Sequence, residues 1–153
     1  MARKFVVFCT ILGLVAFAAA AGTKCRGLAL EGGGDKGSYQ AGGLKGLIDN
    51  LPAEEVAYDV VSGISAGSLN GAVFALYPPG QEKNVTDFLY TLWDTIAKTD
   101  VYVDWVPGGV KEGFFEKKGL FNTAPLRTLL DSKVEGKYQE RSVYMGTTDM
   151  NTG

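Results

Sequence analysis

Ser65 stands between two glycines in Gly63-Ile64-Ser65-Ala66-Gly67. This is the G-x-S-x-G spacing in which a serine on a sharp strand-to-helix turn presents its hydroxyl as a nucleophile. The glycines leave room where a Cβ would strike neighbouring backbone, and the helix N-terminus favours negative charge beside the serine. A second cluster, Gly32-Gly33-Gly34-Asp35-Lys36-Gly37, also lies between a strand and a helix. Its run of backbone N–H groups is a site for an oxyanion or another anion. Because both motifs follow strands, a parallel sheet would put them at one edge. There the loop amides can face the carbonyl oxygen of an ester attacked by Ser65.

The glycine cluster also partly fits two nucleotide-binding patterns. Gly32 to Gly37 also matches G-x-G-x-x-G, a dinucleotide fingerprint, and so leaves a nucleotide-binding α/β domain as an alternative. That fingerprint needs an acid about 20 residues further on, at the end of the next strand. Here the next strand ends Val60-Val61-Ser62-Gly63, and Asp59 comes too early in it. A P-loop fails because Ser38 rather than lysine follows Gly37.

The 153 residues include no histidine. This excludes Ser-His-Asp and Cys-His catalytic sets within the chain, and histidine-ligated metal sites. A serine nucleophile still needs a base, and a carboxylate accepting the proton directly would supply it. Lys36 reads as a solvated or substrate-facing charge. A net charge of −2 with no basic stripe gives no footprint for nucleic acid. No metal, cofactor or protein partner is expected.

These groups need elements to hold them. Arg26-Gly27-Leu28-Ala29-Leu30 reads as a buried strand, and residues 39–51 as a helix carrying Ala41, Leu44, Leu47, Ile48 and Leu51 on one face and stopped by Pro52. Tyr58-Asp59-Val60-Val61 is a second strand, and residues 69–76 a small-residue helix ended by Pro78-Pro79. Val85, Phe88, Leu89, Leu92, Trp93 and Ile96 share one face of a third helix, with Asn84 or Thr86 as its cap. Residues 98–120 read as irregular, and a short helix runs from Thr123-Ala124-Pro125 through Leu130. Residues 141–147 alternate like a strand before the turn signal Asn151-Thr152-Gly153. Strands alternating with helices predict an α/β fold with a mostly parallel sheet and right-handed crossovers. Trp93, Trp105, Phe114 and Phe115 are read as core ahead of an acyl channel.

Residues 1–21 read as a secretory signal peptide: Arg3 and Lys4, an apolar run over residues 5–17, then Ala18 to Ala21. Removal after Ala20 or Ala21 takes the charge from −2 to −4 and carries off Cys9, leaving Cys25 without an internal disulfide partner. The expected location is secreted, or the endomembrane or vacuolar lumen. Asn84-Val85-Thr86 is a candidate glycosylation sequon.

From Cys25 to Gly153 the chain resembles the N-terminal part of a patatin-like phospholipase. The resemblance rests on Glu31-Gly32-Gly33-Gly34-Asp35-Lys36-Gly37, on Gly63-Ile64-Ser65-Ala66-Gly67, and on the strand and turn of Thr147-Thr148-Asp149-Met150-Asn151-Thr152-Gly153. It implies a three-layer α/β/α fold and hydrolysis of acyl esters in phospholipids or related lipids, at a membrane or lipid-aggregate surface. It implies Ser65 as nucleophile, Gly32, Gly33, Gly34 and Gly37 as the oxyanion motif, and a catalytic aspartate from an Asp-Gly motif. No Asp-Gly occurs in the 153 residues. Asp149 is discounted as a substitute, and residues 22–153 are read as the N-terminal portion of a domain truncated at its C-terminus. The alternative to a hydrolase is an inactive truncated paralogue that binds lipid.

Overall fold

The computed structural model describes residues 24–149 and Thr152. The expected signal peptide, residues 1–21, lies outside them. Three strands form a parallel sheet: β1 (Gly27–Leu30), β2 (Val60–Ile64) and β3 (Ser142–Gly146), with β2 in the centre. Pairing sets Leu28, Val61 and Val143 in one row across the sheet. Side chains alternate between faces along a strand, so Leu30 and Met145 point to the same side as that row.

Between β1 and β2 run a 3-10 turn (Gly34–Lys36), α1 (Gly37–Asn50) and the short α2 (Ala53–Val56). Between β2 and β3 run α3 (Ala66–Ala75), α4 (Glu82–Thr95), α5 (Lys98–Val101), α6 (Gly109–Phe115) and α7 (Ala124–Val134). α3 lies on the Leu28–Val61–Val143 face, where Gly71 brings its backbone against the side chains of Val61 and Val143. Leu30, Val61, Val73, Phe74, Ala41, Leu44, Val85 and Leu89 form the core between the sheet, α3, α1 and α4. On the opposite face Ala29, Ile64 and Tyr144 are exposed, Ile64 by 60% and Tyr144 by 67%. Parallel sheets ordinarily bury both faces; among the described residues, helices cover one.

The start of β3 is held by Arg141. Its guanidinium, 0% exposed, donates to Glu82 Oε1 at 2.8 Å and to the carbonyls of Tyr58, Tyr77 and Pro78, each at 2.7 Å. Glu82 also accepts the N–H groups of Tyr58 and Gly80. The buried charges therefore meet with their hydrogen-bonding capacity well used, which such a pair requires. On the surface, Lys45 and Lys83 tie Asp49 of α1 to Asp87 of α4.

Some expectations change. The second strand begins two residues later than read and runs through Gly63 to Ile64; the Tyr58 N–H goes to the Glu82 side chain rather than to the neighbouring strand. α4 starts at Glu82 after Gln81, without a side-chain cap, so neither Asn84 nor Thr86 caps it. Thr86 is buried within the helix and its hydroxyl donates to Glu82 O. Residues 98–120 contain α5 and α6 rather than irregular chain throughout. Phe114 and Phe115, read as core, are 70% and 80% exposed and pack edge to face on each other. Cys25 is exposed.

Candidate active site

β2 ends at Ile64 and α3 begins at Ala66, which leaves Ser65 alone to make the turn. Its backbone sits at φ 54° and ψ −123°, the one non-glycine residue of positive φ among the described residues. Such a conformation costs about 1–3 kcal/mol and persists only where surrounding structure enforces it. The neighbouring glycines do the enforcing. A Cβ on Gly63 would lie 2.7 Å from Ser68 N and closer still to Gly67 O. A Cβ on Gly67 would lie 2.6 Å from Glu31 O and closer still to Leu30 O. Strand end, helix start and the end of β1 thus meet backbone to backbone. Ser68 locks the turn, its hydroxyl donating to Gly63 O at 2.8 Å and its N–H to Ser65 O at 2.9 Å. The Ser65 hydroxyl makes no capping bond and the residue is exposed. It stands at the N-terminus of a ten-residue helix whose dipole favours negative charge there.

The glycine loop reaches the same place from β1. The Cβ position of Gly32 is 3.2 Å from Ser65 Cβ and 3.4 Å from Ile64 O, so a side chain there would crowd the serine. Gly33 and Gly34 follow, Gly34 at φ +58°, and the turn closes with Lys36 N–H donating to Gly33 O at 3.1 Å. Gly37 plays a different part. It is buried, its N–H donates back to Asp35 O and Gly34 O, and a Cβ on it would strike the Trp93 ring, 2.8 Å from Cη2. Its lack of a side chain serves close packing of α1 on α4, and its amide is engaged within the loop.

The carboxylates read from the sequence separate clearly. Asp59 precedes β2, at the opposite edge from Ser65, and accepts Arg26 N–H at 2.8 Å. Five residues of strand intervene, about 17 Å at the usual rise. Asp149 lies three residues past β3, on the edge that carries Ser65. Lys36 is exposed beside the turn. Asn84, the sequon residue, is exposed in the first turn of α4 and donates to Gln81 Oε1 at 3.3 Å. Among the described residues no cluster of His, Cys, Asp and Glu could hold a metal ion. No helix among them is long and apolar enough to cross a membrane.

Three residues that the motif reading passed over brace the loop. Asn70 in α3, 1% exposed, donates through Nδ2 to Gly37 O at 3.1 Å and to Gln40 Oε1 at 3.0 Å. Its Oδ1 accepts the indole N–H of Trp93 at 2.8 Å. Gln40 Nε2 donates to Glu31 O at 2.6 Å, directly ahead of the glycines. The signal in the sequence was an asparagine, poor in helix interiors, within the otherwise small and apolar stretch of residues 66–75.

Together a strained exposed serine, a helix N-terminus and a glycine loop in contact form an arrangement suited to acyl transfer through an oxyanion. The family model described as patatin-like phospholipase matches residues 28–147. No curated protein and no solved structure matches the chain.

Proposed function

The chain belongs to the patatin-like phospholipase family, and from that premise we propose that it is a serine lipid acyl hydrolase of the phospholipase A type. Ser65 Oγ attacks the ester carbonyl of a phospholipid or related lipid. Its proton passes to a carboxylate base, and the amides of Gly32, Gly33 and Gly34 hold the negative oxygen. As the tetrahedral adduct collapses, the leaving alcohol takes the proton and the acyl group stays on Ser65. Water, deprotonated by the same base, then releases the fatty acid. The base we propose is an aspartate supplied from beyond residue 153, because the family's Asp-Gly motif has no counterpart in the sequence. We further propose a secreted or endomembrane-lumenal enzyme working at a lipid surface, on the strength of residues 1–21.

The observation that carries this reading is Gly32 seated against Ser65, 3.2 Å from its Cβ position to that of the serine. A dinucleotide site has less support. It needs an acid at the end of β2, and Ser65 stands there.

The test is Ser65→Ala. Ester cleavage and fluorophosphonate labelling are expected to vanish while the melting profile stays that of a folded protein. Undiminished turnover in that variant would refute the proposal. Strong labelling of the 153-residue chain itself would show that a base lies within it.

A further inference from the structure

We propose that Gln40 and Asn70 are positioning residues that set the direction of the Gly32 amide toward the reacting oxygen. This rests on the hydrolase reading of Ser65. A chain of hydrogen bonds runs from the edge of the core to the surface: Trp93 Nε1 donates to Asn70 Oδ1, Asn70 Nδ2 donates to Gln40 Oε1, and Gln40 Nε2 donates to Glu31 O. It links α4, α3 and α1 to the carbonyl that precedes the glycine loop. Every hydrogen bond in it is 3.0 Å or shorter.

The last bond matters most. A peptide unit is planar, with its C=O and the next N–H pointing in opposite directions. Holding Glu31 O on Gln40 therefore fixes the direction of Gly32 N–H. Glycine offers no steric resistance to rotation of that plane, so the restraint has to come from outside the loop. Gly67 packs its backbone on Glu31 O from α3 and closes the other side. Gln40 is in turn oriented by Asn70, whose two donor hydrogens go to Gln40 and to Gly37 O. Asn70 thus holds both ends of the glycine loop, one directly and one through Gln40.

A buried asparagine in a helix interior is costly unless fully hydrogen-bonded. A small apolar residue would satisfy the packing of α3 without that demand. What an apolar residue could not do is orient Gln40 or hold Gly37 O. Amides are also neutral across the working pH range, so the restraint does not titrate.

The experiment uses Gln40→Glu and Gln40→Leu in the full chain, because Gln40 is only half-buried and its replacement leaves the core intact. Gln40→Glu sets a carboxylate oxygen against Glu31 O and should turn the peptide. With p-nitrophenyl butyrate as probe, kcat is expected to fall about 10- to 100-fold with KM within about twofold. Melting temperature should hold, and the backbone amide resonance of Gly32 should shift and its order parameter fall while the signals of β2 stay in place. Asn70→Asp should act in the same direction. Wild-type kcat in Gln40→Glu, with Ser65→Ala inactive, overturns this inference and leaves the hydrolase reading standing. Activity that survives Ser65→Ala overturns the hydrolase reading itself. If the chain does not turn over the probe, an unmoved Gly32 amide resonance with an unchanged order parameter in both Gln40 variants still overturns the inference, and a shifted resonance with a lowered order parameter supports it.

Discussion

Gly67 gives the sharpest handle on the site, because one methyl group there separates geometry from chemistry. Gly67→Ala removes no polar group and leaves Ser65 and the glycine loop chemically intact. Its Cβ would lie 2.6 Å from Glu31 O and nearer to Leu30 O, both backbone atoms of the strand end. A comfortable carbon–oxygen contact is roughly 3.3 Å, so clearing Leu30 O, the nearer of the two, requires α3 and the end of β1 to part by about 1 Å. Overpacking of this kind costs about 1–3 kcal/mol. For a chain of this size that is a fall of about 2–12 °C in melting temperature. The displacement opens the space between Ser65 and Gly32, and misplacement on the order of 1 Å costs about 100-fold in rate. Hydrolysis of p-nitrophenyl butyrate, read beside thermal melting by circular dichroism, separates the two effects. The control is Gly46→Ala, at an α1 position with open space around the added methyl. It should stabilise by about 0.5–1 kcal/mol and leave the rate alone. A Gly67→Ala protein with native melting temperature and native rate would show that the strand end and the elbow are not coupled as described.

Other outcomes follow from the same contacts. Ser65→Gly removes the nucleophile and relieves the φ 54° backbone, so the inactive variant should melt higher than Ser65→Ala, which keeps the strain; equal melting temperatures would count against enforced strain. Arg141→Met strands Glu82 in the interior and should cost about 3–5 kcal/mol, with much of the loss recovered in a double variant that also carries Glu82→Gln; additive losses would rule out the coupling. Hydrogen bonds from Lys45 hold Asp49 and Asp87 below the ordinary value of 3.8. Groups depressed in the folded state stabilise it above their unfolded value, so this contribution is full above about pH 4. It is lost as pH falls below 3.8. Acid titration of Lys45→Met should lose most of that component, with the remainder carried by Lys83, and high salt should shrink it in the parent chain.

The elbow was legible because its residues are needed for backbone reasons. Gly63 and Gly67 stand where atoms of other segments leave no space for a Cβ, and a sequence records such demands as glycine at fixed spacing. Gly37 shows the limit of that logic. The spacing groups it with Gly32 to Gly34, yet its room is taken by Trp93, more than 50 residues away. α5 and α6, of four and seven residues, are too short to establish a periodic pattern. Phe114 and Phe115 were read as core because aromatic residues usually are; whether they are covered depends on tertiary neighbours that local pattern does not encode. The Gln40–Asn70 link joins residues 30 apart, and nothing in either local stretch points to the other.

Arg141 carries a consequence for biogenesis. Its four partners, Tyr58, Tyr77, Pro78 and Glu82, are all translated at least 59 residues earlier. While the ribosome works through the intervening stretch, the Glu82 carboxylate must stay hydrated or remain only partly satisfied. The packed arrangement around α3 and α4 can therefore close only after residue 141 has cleared the exit tunnel. Nascent chains stalled short of that point should be protease-sensitive around Pro78, and those stalled well past it resistant.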